Sequence, residues 1–368
     1  MVTDASQACS RDLAYLPEFL MRNDTGAANN RQHRGESAMA TALEQANREA
    51  ASAEIDAQCV QALDRYLSSW RKGHLWVESA NKAPEQDASA TVALKPKVPL
   101  ASVRWLSKST VHMTFPSFGP EAERPIHDLF HKNQKRLQRT PNWIIDVRNN
   151  DGGSDWIYHP IIEAVIGNAT LEVGAEFLAT PANIEGLTRV CQRMAPGDAT
   201  CIKWTSALID AMRAVPPGSY VLEPEIQSAV TRYDAYQPKR KRPLRVAVLT
   251  DTDCVSSCEQ FLLTMRQGWN VKLMGRRTYG ALDYSNLVPH TLPSGQRVLW
   301  HAISRSMRLP HLPVDAVGVL PDVFLAQPAN ERERAREVDF VHALLEGRAM
   351  DPLQTVDSKH QSKEQTLN

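Results

Sequence analysis

Residues 245–265 read RVAVLTDTDCVSSCEQFLLTM, and the order of residue types in this stretch predicts a strand, a tight turn and a helix. The apolar run over residues 246–249 is typical of a buried strand. A turn of this kind lifts a side chain away from the sheet, and the start of the following helix offers unpaired N–H groups. Ser256 occupies that turn, which is a good place for a nucleophile. The alternative is that Ser256 and Ser257 only cap the helix.

Strand patterns alternate with helix patterns through much of the chain. An apolar strand over residues 143–147 leads into a turn over 149–153 and then into a helical stretch that ends near Ile166. Strands that alternate with helices favour an α/β core. Residues 11–80 differ, because many of their apolar residues lie three or four positions apart, the spacing of one helix face. We therefore expect a small helical region before an α/β core.

These patterns also predict how the chain divides into domains. The predicted parts are a helical domain over residues 1–80, a linker over 81–100, a core over 101–348 and a flexible tail over 349–368. Residues 168–240 contain several proline and glycine breaks, which favour an insertion or cap within the core.

Composition disfavours several classes of function. Lys plus Arg and Asp plus Glu each number 42 among 368 residues, so no overall charge favours nucleic acid or an anionic membrane. We expect the dense basic run over residues 239–242 to be a solvated loop. No apolar stretch approaches the roughly 18 to 20 residues that span a bilayer. We therefore expect a soluble chain with no membrane span and no nucleic-acid partner.

Six cysteines in a chain of this length do not predict a disulfide framework. Cys191 and Cys201 flank a turn-like stretch, where they form either a local disulfide or two buried thiols. Cys254 and Cys258 are spaced to lie on one face of a helix. We expect them to be small buried side chains, because a metal site needs more ligands than this pair and none is near in sequence.

A serine nucleophile requires further groups around it. Serine attacks weakly at neutral pH, so a base must lie within hydrogen-bond reach, and a carboxylate usually orients that base. The negative oxygen of the intermediate also needs N–H donors. The pair Gly152 and Gly153 suits that purpose, because residues without a Cβ let backbone N–H groups approach a substrate closely.

Four blocks of sequence, in a fixed order, resemble the motifs of one known family. The blocks are residues 70–74 (WRKGH), residues 144–153 (IIDVRNNDGG), residues 256–259 (SSCE) followed by 275–280 (GRRTYG), and residues 315–322 (DAVGVLPD). The family is that of the C-terminal processing, or tail-specific, proteases, which are serine peptidases. The resemblance is strongest to the branch with tricorn-like and retinoid-binding-protein-like members.

The resemblance implies a ClpP/crotonase-like core and an acyl-enzyme on Ser256. Members that use a Ser-Lys dyad carry a lysine where this chain has Ala281, so the resemblance implies the branch that uses a histidine and an acid. His74 and Asp315 stand at those two positions. His74 would act as general base and Asp315 would orient it. The branch normally has glutamate at the position of Asp315, which is a departure from the family pattern.

Further expectations follow from the same resemblance. The N–H of Gly152 or Gly153, together with that of Ser257, would form the oxyanion hole, and no cofactor or metal is implied. The substrate would be a polypeptide, and a periplasmic or secreted location is favoured. Too few residues separate His74 from Val103 for the PDZ domain that many family members contain.

Two alternatives stay open from the sequence. An esterase or amidase would use the same residues, because such a triad does not choose between acyl substrates. A non-catalytic binding protein would keep the fold and lose turnover. The sequence does not indicate the oligomeric state.

Overall fold

The computed structural model of the chain describes residues 4–80, 101–194, 196–223, 232–234 and 243–348. Three predicted features lie outside the described residues, namely the linker over 81–100, the basic run over 239–242 and the tail over 349–368.

Helices and strands alternate after an all-helical start. The helices are α1 (Asp4–Asn23), α2 (Ala27–Arg34), α3 (Glu36–Ala51), α4 (Asp56–Trp70), α5 (Pro120–Leu137), α6 (Asp155–Val165), α7 (Pro181–Met194), α8 (Ala199–Arg213), α9 (Ser257–Met265) and α10 (Glu331–Leu345). The strands are β1 (Trp76–Ser79), β2 (Ser102–Trp105), β3 (Thr110–Thr114), β4 (Asn142–Asp146), β5 (Thr170–Glu172), β6 (Ala175–Leu178), β7 (Tyr220–Leu222), β8 (Arg232–Asp234), β9 (Arg245–Thr250), β10 (Val271–Gly275), β11 (Tyr284–Thr291), β12 (Arg297–Ser306) and β13 (Val323–Phe324). Across the described ranges, no helix combines the length and apolar character needed to cross a membrane.

The chain packs into two compact units, each assembled from separate stretches of sequence. The first unit holds Met1–Lys95, Glu172–Arg232 and Ala281–Ala316, and the second holds Pro96–Leu171, Tyr233–Gly280 and Val317–Asn368. The domains predicted from the sequence are continuous ranges, whereas each of these units combines three separate stretches. The predicted domain boundaries therefore remain a prediction.

Helices α1, α3 and α4 pack against one another in the first unit. Their apolar faces meet in one buried cluster that includes Leu13, Leu16, Leu63 and Leu67. Leucines spaced three or four positions apart fall on one side of a helix, which explains why these side chains converge. The predicted helical region at the start of the chain is thus confirmed.

An antiparallel sheet completes the first unit. Its central strand is β12, which pairs with β1, β6 and β11, while β7 pairs with β6. The first residue of β12 is Arg297, whose side chain is fully buried and whose Nη1 lies 2.8 Å from Oδ2 of the equally buried Asp12. Asp12 also accepts hydrogen bonds from the N–H and the hydroxyl of Ser294. This carboxylate therefore ties α1 to the start of β12.

The second unit is built on a six-stranded sheet in the order β13-β10-β9-β4-β3-β2. All its neighbours are parallel except β2, which runs antiparallel to β3. Strands β4 and β9 lie side by side, with Asp146 opposite Leu249. Because the carboxyl ends of parallel strands meet at one edge of a sheet, the turn over residues 147–153 and the turn over 251–256 lie at the same edge.

The six cysteines, all within the described residues, form three disulfides. The pairs are Cys9–Cys59, Cys191–Cys201 and Cys254–Cys258. The expectation that the six cysteines form no disulfide framework is therefore wrong, and Cys254 and Cys258 are buried as expected but are bonded to each other. Cys254 lies in the turn and only Cys258 lies in α9, and their Cα atoms are 5.4 Å apart, within the range that a disulfide spans.

Replacing Asp12 with alanine tests the buried ion pair of the first unit. The change leaves the guanidinium of Arg297 with less compensation in a water-free site, so we expect Asp12→Ala to lower the free energy of unfolding by about 3 kcal/mol. Denaturant unfolding measures this loss.

The matched control is Glu18→Ala, which removes the exposed partner of Arg22 on the same helix. An exposed pair contributes at most about 1 kcal/mol, so the control should unfold close to the wild type. Equal losses in the two variants would contradict the role given to Asp12.

Candidate active site

Ser256 lies at a strained turn between β9 and α9 in the second unit. Its backbone angles are φ 60° and ψ −122°, a conformation that residues with a Cβ rarely adopt. Such a residue costs about 1–3 kcal/mol and persists only where its surroundings hold it. The side chain is partly exposed. The geometry is that of a nucleophile elbow, which presents a serine hydroxyl above the edge of a sheet.

A buried carboxylate holds this turn in place. Glu259, which is fully buried, accepts a hydrogen bond from the N–H of Ser256 with its Oε2 at 3.1 Å. Its Oε1 accepts from the N–H of Gly280 at 2.8 Å and from the hydroxyl of Thr278. The hydroxyl oxygen of Thr278 in turn accepts from the N–H of Val319 at 2.7 Å. Glu259 therefore joins the nucleophile turn to the loop after β10.

The predicted glycine turn lies directly against Ser256. Gly152 has φ 89° and Gly153 has φ 140°, both in the region that favours glycine. A Cβ on Gly152 would lie 2.7 Å from the carbonyl oxygen of Val255, and a Cβ on Gly153 would clash with the backbone of Phe118. Gly152 therefore has to be glycine because the turn approaches the elbow of Ser256 so closely, and Gly153 because the turn approaches the backbone of Phe118.

One hydrogen bond fixes the orientation of the peptide between Gly152 and Gly153, and a second engages the N–H of Gly152. The carbonyl of Gly152 accepts from the N–H of Phe118 at 2.8 Å. Because the carbonyl and the N–H of a trans peptide point in opposite directions, the N–H of Gly153 points away from Phe118. The N–H of Gly152 donates to the side chain of Asn150 at 2.9 Å. The two glycines are thus distinguished, since one N–H is engaged by Asn150 and the other is not.

The N–H groups of Gly153 and Ser257 are available as donors. Among the residues that the structure describes, neither N–H has an acceptor. Ser257 opens α9, where the first N–H groups have no partner within the helix. The hydroxyl of Ser257 donates to the carbonyl of Gly153 at 2.8 Å, which holds the two residues together. Two unpaired N–H groups beside a serine are what an oxyanion hole requires.

His74 lies in the first unit, in a loop between α4 and β1. It follows Gly73, and both residues have positive φ angles of 72° and 51°. The buried guanidinium of Arg71 donates to the carbonyl of His74 at 2.6 Å and to that of Gly73 at 3.2 Å. The carboxylate of Asp24 pairs with the same guanidinium at 2.5 and 2.7 Å. This clamp holds the loop in its left-handed conformation.

The ring of His74 is oriented by a backbone carbonyl. Its Nδ1 lies 2.6 Å from the carbonyl oxygen of Tyr284. Because a carbonyl oxygen only accepts, Nδ1 carries the proton and Nε2 of the neutral ring keeps its lone pair. Burial lowers the pKa of His74 to about 4, while the bond to Tyr284 opposes that shift and the charge of Arg71 adds to it. His74 is thus an unprotonated base at neutral pH.

Asp315 supports the segment that carries this carbonyl. Its Oδ1 accepts from the N–H groups of Leu282 and Asp283 at 2.6 and 2.7 Å. In return, Oδ2 of Asp283 accepts from the N–H groups of Val314 and Asp315 at 2.6 and 2.8 Å. The two carboxylates therefore cross-link two loops of the first unit, directly before Tyr284.

Burial and neighbouring charges raise the pKa of two groups close to His74. Burial raises the pKa of Asp315 to about 6; the two N–H bonds oppose this shift and the charge of Asp283 adds to it. Burial, followed by the charges of Asp315 and Asp283, raises the pKa of Tyr284 to about 12. Both shifts come first from burial, and the charge of a neighbouring carboxylate adds to each of them.

The structure brings the sequence-predicted residues together in two groups. Gly152, Gly153, Ser256 and Ser257 are neighbours in the second unit. In the first unit, His74 contacts Tyr284 and Asp315 contacts the two residues before it. Asp315 is therefore linked to His74 only indirectly, through the backbone of residues 282–284 in the first unit.

Sequence reasoning missed several residues that position these groups. Asp24 was not singled out, because it acts by pairing with the guanidinium of Arg71, and Tyr284 was given no role, because it acts through its own carbonyl. A signal was present for Arg71, Asn150 and Glu259, which stand inside the motifs quoted above. Buried charged residues next to a motif are normally paired, and the pairing indicates their role.

Comparison with known proteins identifies the fold. The structure of mature CPAF complexed with lactacystin is similar, with a TM-score of 0.63 at 12% identity, over 94% of this chain and 100% of that chain. A protein from Parabacteroides merdae has a TM-score of 0.57 at 14% identity, over 93% and 97% of the two chains. A lipoprotein from Streptococcus agalactiae has a TM-score of 0.52 at 12% identity, over 95% and 99%. The predicted α/β fold with a ClpP/crotonase-like core is confirmed.

The sequence comparison identifies the family. No curated protein matches the chain. The profile of Peptidase family S41 matches residues 110–324, which is more than half of the chain. The match includes the glycine turn, Ser256 and Asp315, and it agrees with the resemblance to serine peptidases that process C-termini. The chain belongs to peptidase family S41 and is a serine peptidase.

Proposed function

We propose that the protein hydrolyses peptide bonds through an acyl-enzyme on Ser256, with His74 as general base and Asp315 as the acid of the arrangement. The observation that carries this proposal is the strained turn of Ser256 beside the unpaired N–H groups of Gly153 and Ser257. A helix cap needs neither the strain nor the glycine turn.

In the first half-reaction, Oγ of Ser256 attacks the peptide carbonyl carbon while Nε2 of His74 takes the hydroxyl proton. The N–H groups of Gly153 and Ser257 stabilise the negative oxygen. The carbon–nitrogen bond breaks, the amine leaves with the proton from His74, and an ester on Ser256 remains. Water then attacks the ester with His74 again as base, which releases the new C-terminus.

The N–H of Gly153 is the better donor of the two glycine candidates. The N–H of Gly152 already donates to Asn150, and its bond would have to break before it met a substrate. Gly152 contributes by the absence of a Cβ, which keeps the space beside Val255 open. In this proposal, Gly153 donates its N–H to the substrate, and Gly152 leaves room for the substrate to approach.

The carbonyl of Tyr284 and the carboxylate of Asp315 share the task of the acid. The carbonyl fixes the tautomer of His74, while the charge of Asp315 stabilises the imidazolium that forms when the serine proton is taken. Asp315 also holds the two residues before Tyr284. This division suits an aspartate in a place where the family normally has the longer glutamate.

The substrate class and compartment follow from the same features. Membership of a peptidase family supports a polypeptide substrate. The three disulfides support an oxidising compartment, such as the periplasm or the outside of the cell, because disulfides persist there and are rare in the cytosol.

A fluorophosphonate probe tests the nucleophile and the base. We expect the wild type to be labelled, Ser256→Ala to lose labelling completely, and His74→Ala to be labelled about 10²- to 10⁴-fold more slowly, which is the usual contribution of a positioned base. Gel fluorescence and intact mass measure the rates. Ser68→Ala and His131→Ala, both at exposed positions, are the matched controls and should react like the wild type. A folded wild type that takes no label would refute the proposal, and cleavage of simple esters without cleavage of a peptide library would restrict it to an esterase.

The pH dependence of labelling tests the role of Asp315. The reaction needs a neutral His74, with a pKa of about 4, and an ionised Asp315, with a pKa of about 6. The rate of the wild type should therefore fall as the pH drops through about 6. In Asp315→Asn, the plateau should be lower and the fall should move towards pH 4, because only His74 still titrates.

The same variant, Asp315→Asn, should gain thermal stability although its labelling rate is lower. A carboxyl whose pKa is raised in the folded state contributes stability below its unfolded pKa, and this contribution is lost as the pH rises through 6. Asp315→Asn should therefore melt at a higher temperature than the wild type at pH 8, and the difference should shrink towards pH 4. If the labelling rates of the wild type and of Asp315→Asn fall at the same pH on acidification, the proposed role of Asp315 is contradicted.

A further inference from the structure

The disulfide Cys254–Cys258 encloses the nucleophile. Ser256 stands in the middle of this five-residue segment, with one residue between it and each cysteine. Both cysteines are fully buried. The bond therefore joins the chain that enters the nucleophile turn to the first turn of the helix that leaves it.

This disulfide differs from the other two in the length of chain that it closes. Cys9–Cys59 spans 50 residues and Cys191–Cys201 spans 10, whereas Cys254–Cys258 spans 4. The stabilisation that a disulfide gives by restricting the unfolded chain grows with the length of the closed loop. The shortest loop gives the least of this effect. Its role is therefore local and concerns the conformation of the residues that it encloses.

The enclosed turn depends on such a local restraint. The positive φ of Ser256 has to be held by its surroundings. On the entering side, the N–H of Cys254 donates to the carbonyl of Asp251 at 3.3 Å, and the N–H of Val255 donates to that of Asn150 at 3.3 Å. Both bonds are longer than usual. On the leaving side, the helix and Glu259 hold the chain. The carbonyl of Cys254 also accepts from the N–H of Tyr279 at 2.9 Å. The disulfide connects the entering side, which a few backbone bonds hold, to the side that the helix and Glu259 hold.

We infer that the Cys254–Cys258 disulfide is a positioning element of the nucleophile, so that the reactivity of Ser256 depends on this one bond. The inference rests on the proposed function of Ser256. Without the bond, the entering side relaxes, the hydroxyl of Ser256 and the N–H of Ser257 leave their places, and acyl transfer slows. Misplacement by about 1 Å costs on the order of 100-fold in rate. The fold, which the other elements hold, remains.

Formation of the bond couples activity to the compartment. Two thiols lose two electrons and two protons to a disulfide oxidant, which becomes a dithiol. A chain that folds in a reducing compartment therefore has the complete peptidase fold but a poorly placed nucleophile, and it gains full reactivity after oxidation.

The test compares two double variants. Cys254→Ala/Cys258→Ala removes the bond around Ser256, and Cys191→Ala/Cys201→Ala removes a bond of the first unit as the matched control. Three quantities are measured: the fluorophosphonate labelling rate, kcat and KM for a cleaved peptide, and peptide-level hydrogen exchange over residues 250–262. Thermal unfolding confirms that each variant is folded. The single variant Cys258→Ala replaces the first double variant if that protein does not fold.

We expect the first variant to label about 10- to 100-fold more slowly, to lose kcat at nearly unchanged KM, and to exchange faster over residues 250–262. The control should match the wild type in all three. Equal rates and equal exchange in the two variants overturn the inference. If the wild type takes no label, the proposed function fails, and hydrogen exchange alone then decides: faster exchange in the first variant supports the positioning role, and unchanged exchange overturns it.

Discussion

The strained backbone of Ser256 is the constraint on which the candidate site depends. Its positive φ lies in the turn between β9 and α9, and the next residue, Ser257, opens α9 with an N–H that has no acceptor among the described residues. Such a conformation is unfavourable by about 1–3 kcal/mol, so neighbouring elements have to maintain it. Glu259 binds the N–H of Ser256, and the cysteines on either side are joined covalently. Gly152 in the adjacent turn has no room for a Cβ because the carbonyl of Val255, the residue before Ser256, lies against it.

Buried carboxylates position the loops that no helix or strand could hold. Glu259 accepts hydrogen bonds from the nucleophile turn and from the loop after β10. Asp24 accepts from Arg71, which in turn holds the carbonyl of His74. Asp283 and Asp315 each accept from two N–H groups of the other's loop. A buried carboxylate has to be paired with donors, and backbone N–H groups in irregular loops need acceptors. In these loops the carboxylates accept from the backbone N–H groups, so both kinds of group are paired and the loops are held in place.

Local sequence patterns predicted what depends on neighbours in the chain. The apolar run before residue 250, the small residues after it and the helical pattern beyond identified the turn of Ser256, and the periodicity before residue 80 identified the helical region. The carbonyl of Tyr284 was not predictable, because every residue has a carbonyl and only the folded loop shows which one faces His74. The bond between Cys254 and Cys258 was misread because the four-residue spacing was assigned to one helix face, whereas the helix starts at Ser257.

The surroundings of His74 suit the short side chain of Asp315. A carboxylate that contacts the imidazole directly has to match its distance closely, and the shorter side chain of Asp315 instead binds the N–H groups of Leu282 and Asp283. The segment that it holds offers the carbonyl of Tyr284, which fixes the tautomer of His74 without carrying a charge. Burial raises the pKa of Asp315 to about 6, so its ionised form is held at a cost to stability at neutral pH. In the proposed function, that cost accompanies the stabilisation of the imidazolium of His74 by the charge of Asp315.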